Sequence, residues 1–312
     1  MGAVLGGSPK TTVKQVVTVS SLTTFYLLLS WLVVGFKFDQ VFLMCLANLL
    51  YYVSVVTRKF VTGFAIFIVY WMVFDYQKAI PNYHFHPVHI ADLYNFEKKL
   101  FGINSNGKLL TPSEYCNANS NSFFDIIGGI FYLCWIPVPL GFAAYLFFIN
   151  RKQFLYFSLT FVVVNFLGYI VYYSYPAAPP WYVQLHGFDF QPATHSSAAG
   201  LLRFDAYFHV GIFKSIYLKG SNVFAAMPSL HSSYPVIVLY YGLKNRLGPI
   251  NILLAIVMVG IWLTAVYSGH HYVVDVIAGI ICGACGIMVF NILIKKIPAF
   301  NRFVEQYNTA IQ

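Results

Sequence analysis

Charge is scarce in this chain of 312 residues: Asp, Glu, Lys and Arg together make up 9%, against about 25% in a soluble globular domain. That shortage excludes a surface exposed to water all round. With 59% hydrophobic residues, it implies a polytopic membrane protein. Cysteine is sparse as well, at five residues. Only Cys116 falls in a loop, so no disulfide framework is expected. Cys282-Gly-Ala-Cys285 has the spacing of a redox or zinc half-site, but it lies in an apolar segment with no second pair, and reads as helix packing. There is no internal repeat, no low-complexity tract and no evident cleavable signal peptide. The first apolar stretch is long enough to remain as an anchor. The net charge of +9 comes from basic residues placed in pairs between apolar segments, which marks membrane topology rather than nucleic-acid binding.

What is present is a series of eight apolar stretches, at about 16–36, 40–57, 60–75, 123–149, 153–175, 229–243, 249–268 and 271–294. Each is near the ~20 residues a bilayer requires. Lys10, Lys14, Arg58, Lys59, Arg151, Lys152, Lys244, Arg246, Lys295, Lys296 and Arg302 all fall on one side of the resulting alternation. The positive-inside rule makes that side cytoplasmic, together with both termini. Loops 76–122 and 176–228 then face outward: the periplasm if the membrane is a bacterial inner membrane, the Golgi lumen if it is eukaryotic. The expected fold is all-α, a bundle of about eight spans. Residues 1–75 would form amino-terminal spans, 76–122 an outward loop with short surface helices, and 123–312 a catalytic core.

The outward loops carry local order. Leu93, Phe96, Leu100 and Phe101 fall at helical spacing, with Glu97, Lys98 and Lys99 on the other side, which predicts an amphipathic helix at the membrane surface. Thr111-Pro112-Ser113-Glu114 has the form of a capping box. The prolines of Pro176-Ala-Ala-Pro179-Pro180 stop the preceding helix, and Trp181 and Tyr182 suit the interface.

Three polar residues stand out against this background. His271 and Asp275 are four apart at the mouth of the last span, so on a helix the carboxylate can fix the imidazole tautomer. His231 follows Pro228-Ser229 at the mouth of another span, where a helix N-terminus offers unpaired N–H groups to a phosphate. Both motifs fall at the outward ends of their spans and can face one pocket. His271 is then a candidate nucleophile toward a phosphodiester, Asp275 its orienting carboxylate, and His231 the acid and base. Ser229 and His270 are candidates for contact with substrate. Arg203 is the only arginine in the outward loops and the candidate grip on phosphate, with Lys214 and Lys219 as alternatives. His84, His86, His89, His186, His195 and His209 are scattered through the outward loops and read as surface histidines. No metal and no cofactor is expected.

Pro228-Ser229-Leu230-His231, followed after two spans by His271-x-x-x-Asp275, resembles the second and third signatures of the type 2 phosphatidic-acid phosphatase superfamily. Asp92 to Gly102, Thr111 to Tyr115, Ala178 to Tyr182, Arg203-Phe204-Asp205 and Phe224 to His231 resemble its inositol phosphorylceramide synthase branch, in order, over roughly residues 90 to 280. The resemblance implies a core of six helices and a metal-independent transfer in two steps, with His271 phosphorylated, Asp275 orienting it and His231 as acid and base. Two features depart from the superfamily. The chain has no Arg-Pro, and Ala265 stands where the third signature places an arginine. That counts against a generic phosphatase and leaves Arg203 as the candidate grip. The short segment after the last span, unlike the long tail of fungal enzymes, favours a bacterial relative.

The function expected is transfer of a phospho-head-group, phosphoinositol from phosphatidylinositol, to the hydroxyl of ceramide or a similar lipid. The alternative is a lipid phosphate phosphatase or other hydrolase using the same histidines with water as acceptor. A transporter or scaffold with structural histidines is a third class, which predicts full function after His271→Ala. The partners expected are two lipids in the membrane and no nucleic acid.

Overall fold

The computed structural model describes residues 12–220 and 222–312, so Lys10 lies outside the described residues. The chain opens with three apolar helices: α1 (Val13–Val34), α2 (Phe38–Val53) and α3 (Val55–Tyr76). The first long loop folds into α4 (Ala91–Phe101), a hairpin of β1 (Ile103–Ser105) and β2 (Lys108–Leu110), and α5 (Pro112–Ala118). The next apolar stretch is one segment in sequence but two helices in space, α6 (Ser122–Leu133) and α7 (Pro137–Ile149). Pro137 has no N–H to continue α6 and instead starts α7. Then come α8 (Arg151–Ser174), the short loop helices α9 (Pro180–His186), α10 (Leu202–Phe208) and α11 (Ile212–Leu218), and α12 (Leu230–Lys244). The chain closes with α13 (Ile250–Tyr267), α14 (Val273–Lys296) and α15 (Pro298–Ile311).

The all-α expectation holds, but the count of eight spans does not carry over unchanged. Among the described residues, six helical segments are long and apolar enough to cross a bilayer. α2 has 16 residues and α12 has 15, too few for a full crossing at about 1.5 Å per residue. Helices α1 and α2 turn Leu32, Trp31, Phe42 and Leu49 outward, a surface that only lipid can cover without aggregation. The protein is an integral membrane protein.

The core lies between α7, α8, α12 and α14, where Phe147, Phe154, Phe157, Tyr234 and Tyr241 pack together. Buried hydroxyls find partners across helices. Thr160 and Tyr241 meet at 2.8 Å, and Tyr234 Oη donates to Asn165 Oδ1 at 2.7 Å. The helices α12 and α14 touch through backbone: a Cβ on Gly279 would stand 2.1 Å from the carbonyl oxygen of Ser229. Only glycine permits that approach.

The two long loops, 76–122 and 176–228, form a single cap. Ala177 donates to Phe224 and accepts from Ala226, while Ala178 donates to His89, so segments of both loops are stitched edge to edge. Asn82 Nδ2 adds bonds to the carbonyls of Tyr172 and Phe224, each 2.8 Å. The predicted capping box at Thr111 and Glu114 is present, with Pro112 at the first turn of α5. The predicted helix at Leu93 is also present, but its faces are reversed in part. Glu97 is fully buried with Leu93, while Phe96 and Leu100 are each 53% exposed. The reason is the partner: Glu97 meets the backbone of α14, which a pattern of apolar residues does not register. α15 was also unforeseen. It docks Val304 and Ile311 into the core and donates from Tyr307 Oη to the Thr62 carbonyl.

Candidate active site

The turn between α13 and α14 sets the site. Gly269, at φ +77°, reverses the chain where a residue with a side chain is strained. The amides of His270 and His271 then both donate back to Ala265, at 3.1 and 3.0 Å. Trp181 N–H reaches Gly269 O and Gly200 N–H reaches Ser268 O, so the second loop grips this turn directly.

On the neighbouring helix, Ser229 precedes α12 and its N–H donates to the Asp275 carbonyl at 2.9 Å. This bond and the Gly279 contact join the starts of α12 and α14. They bring His231 to His271: Nδ1 of the first lies 3.1 Å from Nε2 of the second. His231 is walled by Trp135, edge-on at 4.4 Å, and by Tyr132. Side chains 40 apart in sequence thus meet at the starts of α12 and α14.

Asp275 is fully buried, and its Oδ2 lies 3.6 Å from His271 Nδ1. That is contact but too long for a hydrogen bond. His271 Nδ1 and Asp275 Oδ1 both lack a hydrogen-bond partner. Burial holds the His271 imidazole below its usual value, at about 4, against the opposing pull of the Ala226 carbonyl. The ring is therefore neutral near neutral pH.

Other sequence candidates are distributed around this centre. Ser229 is buried, and its hydroxyl accepts from Ser232 Oγ at 3.1 Å. His270 stacks between Tyr132 and Tyr217 and bonds through Nε2 to the Ala198 carbonyl at 3.0 Å. Arg203 pairs through Nε with Asp125 at 2.7 Å and through Nη1 with Asn117 at 3.0 Å. Its Nη2 is buried without a partner and lies against Gly200, whose N–H bonds to Ser268. Lys219 is taken up by Asp39, and Lys214 is exposed. His84, His86, His195 and His209 are exposed, while His89 stacks on Tyr175 and pairs with Asp92. Among the described residues no group of three His, Cys, Asp or Glu side chains converges as metal ligands would.

Sequence reasoning did not single out Glu97, Asp125, Tyr132 or Trp135. Asp125 carried a detectable signal, as an acidic residue within an apolar helix, whereas Glu97 sat among the charges of an amphipathic one. Trp135 and Tyr132 carried none in a chain with 19% aromatic residues.

The family model of the PAP2 superfamily matches residues 113–289. The chain is 40% identical over 296 residues to the phosphoinositol dihydroceramide synthase of Bacteroides thetaiotaomicron, a match that covers 94% of this chain and 97% of that protein. It is 31% identical to the inositol phosphorylceramide synthase of Candida albicans, over 47% of this chain and 33% of the relative. It is 30% identical to the inositol phosphorylceramide synthase catalytic subunit of Saccharomyces cerevisiae, over 62% of this chain and 47% of the relative. The match thus takes in half or less of these two fungal relatives. No solved structure matches the chain.

Proposed function

The chain belongs to the PAP2 superfamily, and we propose that it is a phosphotransferase that moves phosphoinositol from phosphatidylinositol to the hydroxyl of ceramide or dihydroceramide. The observation that supports this most is the cluster of the buried His271 and Asp275 with the half-buried His231, which supplies a nucleophile, its orienting carboxylate and a second imidazole in one place.

In the first step His271 Nε2 attacks phosphorus and the bond to the diacylglycerol oxygen breaks. Asp275 faces Nδ1, so the proton sits there and the lone pair sits on Nε2. His231 enters as imidazolium, favoured by the bound anionic phosphodiester, and gives its proton to the leaving oxygen. The phosphohistidine carries positive charge on its ring, which Asp275 offsets. In the second step His231 takes the proton of the acceptor hydroxyl, whose oxygen attacks phosphorus and releases His271. Atoms and protons balance without water. The phosphoryl group must enter between the two rings, with reacting atoms about 3 Å apart on each side, so the His231–His271 bond opens when substrate binds.

The unpartnered Nη2 of Arg203 is the donor available for a phosphate oxygen, and Ser229 and His270 shape the adjoining walls. The cap built from loops 76–122 and 176–228 keeps water from the phosphohistidine. Residues 123–312 form the catalytic core in this reading, and 1–75 flank it. The cap faces outward, with both termini in the cytoplasm. A membrane-impermeant thiol reagent tests this in intact cells. Lys108→Cys, beside the β-hairpin turn, is expected to label, and Lys152→Cys only after permeabilisation; the reverse pattern overturns the orientation.

Purified protein with labelled phosphatidylinositol, with and without ceramide, in EDTA, tests the activity. A labelled ceramide product that requires ceramide and is lost in His271→Ala is expected. Release of head-group phosphate without ceramide would replace the reading with a hydrolase.

A further inference from the structure

Helix α14 begins with backbone N–H groups that no helical carbonyl can reach, among them those of Tyr272, Val273 and Val274. Two carboxylates share them. Asp275 Oδ2 accepts from Tyr272 at 2.8 Å. Glu97, reaching across from α4, accepts from Val273 through Oε1 at 2.9 Å and from Val274 through Oε2 at 3.1 Å. Glu97 has no exposed surface, and burying a carboxylate is costly unless its oxygens are used. Burial pushes its carboxyl above the usual range, and the two N–H bonds pull it back.

The way the N–H groups are divided matters for Asp275. One of its oxygens is engaged by Tyr272, the other has no partner, and the carboxylate stands beside His271 Nδ1. With Glu97 removed, the Val273 and Val274 amides would be bare. Asp275, in the first turn of the same helix, is the carboxylate nearest in sequence. It would be drawn toward the helix axis and away from the imidazole.

We propose that Glu97 is a positioning residue for the reaction: by occupying the start of α14 from outside, it leaves the Asp275 carboxylate free to orient His271. This rests on the reading of His271 as nucleophile. Glu97→Gln keeps the size but turns an NH₂ group against one of the two amides. It is expected to lower kcat roughly tenfold to a hundredfold, the range typical of outer-shell partners, with KM for both lipids unchanged. Glu97→Asp, which keeps the charge, recovers part of the loss and stands in should Glu97→Gln fold poorly.

The deciding comparison is with Asp275→Asn. If Glu97 acts through Asp275, the double variant Glu97→Gln/Asp275→Asn is no slower than Asp275→Asn alone. Losses that multiply would show an independent, merely structural role and overturn the proposal. A second readout needs no substrate, so it separates this proposal from the choice of lipids. In protein with ¹⁵N-labelled histidine, the His271 ring is expected as one tautomer with the proton on Nδ1, and as a mixture in Glu97→Gln. An unchanged ring spectrum in the variant overturns the positioning role even if phosphatidylinositol proves to be the wrong donor.

Discussion

His231 and His271 are joined ring to ring, Nδ1 to Nε2, at 3.1 Å, with Trp135 and Tyr132 packed against His231. Their roles differ in one observable. In the proposed mechanism only His271 bonds to phosphorus, so only His271→Ala should abolish a phosphoenzyme. With a donor labelled in its phosphate and no acceptor, the wild type is expected to retain acid-labile, base-stable label on His271. His231→Ala should form it on the order of 10²–10⁴ times more slowly. Label that persists in His271→Ala would remove that residue as nucleophile.

The acid side of the pH profile follows from burial. The His271 pKa is lowered from 6.5 to about 4, so the folded protein keeps this ring neutral through a range in which an exposed histidine is charged. The sign for stability is that the contribution is fully present above pH 6.5 and is lost as pH falls toward about 4, because the unfolded chain binds the proton first. The His271 ring therefore stays neutral, as the proposed attack on phosphorus requires, down to about pH 4. An acid limb of kcat/KM centred near pH 6.5, with the His271 ring seen by ¹⁵N spectroscopy to gain its proton over the same range, would contradict this.

Arg203 holds Asp125 and Asn117 while one guanidinium nitrogen remains unpartnered. Lysine cannot make both bonds and still present a third donor in a fixed plane. Arg203→Lys is expected to lower kcat/KM for phosphatidylinositol about tenfold or more, with the melting temperature changed little. Full activity in Arg203→Lys would assign the phosphate grip elsewhere.

Gly279 marks where α12 and α14 approach most tightly. A methyl group there would meet the Ser229 carbonyl at 2.1 Å, whereas one on Gly283 would meet Ser233 O at 3.2 Å. Gly279→Ala is expected to cost about 1–3 kcal/mol and to separate His231 from His271, with loss of activity. Gly283→Ala should be milder in both. Calorimetry beside the transfer assay checks the pair, and equal effects would mean that the contact does not set the site.

Much of this protein can be read from its order of residues. The scarcity of charge and the length of the apolar runs determine that it is helical and lies in a membrane, because a bilayer leaves a chain few other ways to satisfy its backbone. The polar residues left inside those runs, His231, His271 and Asp275, mark the site for the same reason: lipid makes each of them costly to keep. The spacing of four places Asp275 under His271 from local geometry alone. What the sequence did not determine lies across helices. Glu97 looked like the polar face of a surface helix and is instead buried against the α14 backbone, a partner that has no side-chain pattern to read. The two helices too short to cross, α2 and α12, have different surroundings: α2 buries only Gln40 and Met44, while α12 is enclosed by α8, α13 and α14. Whether a helix faces lipid or protein, and which carboxylate reaches its first amides, is decided by packing between residues far apart in the chain. Only the tertiary structure specifies that packing.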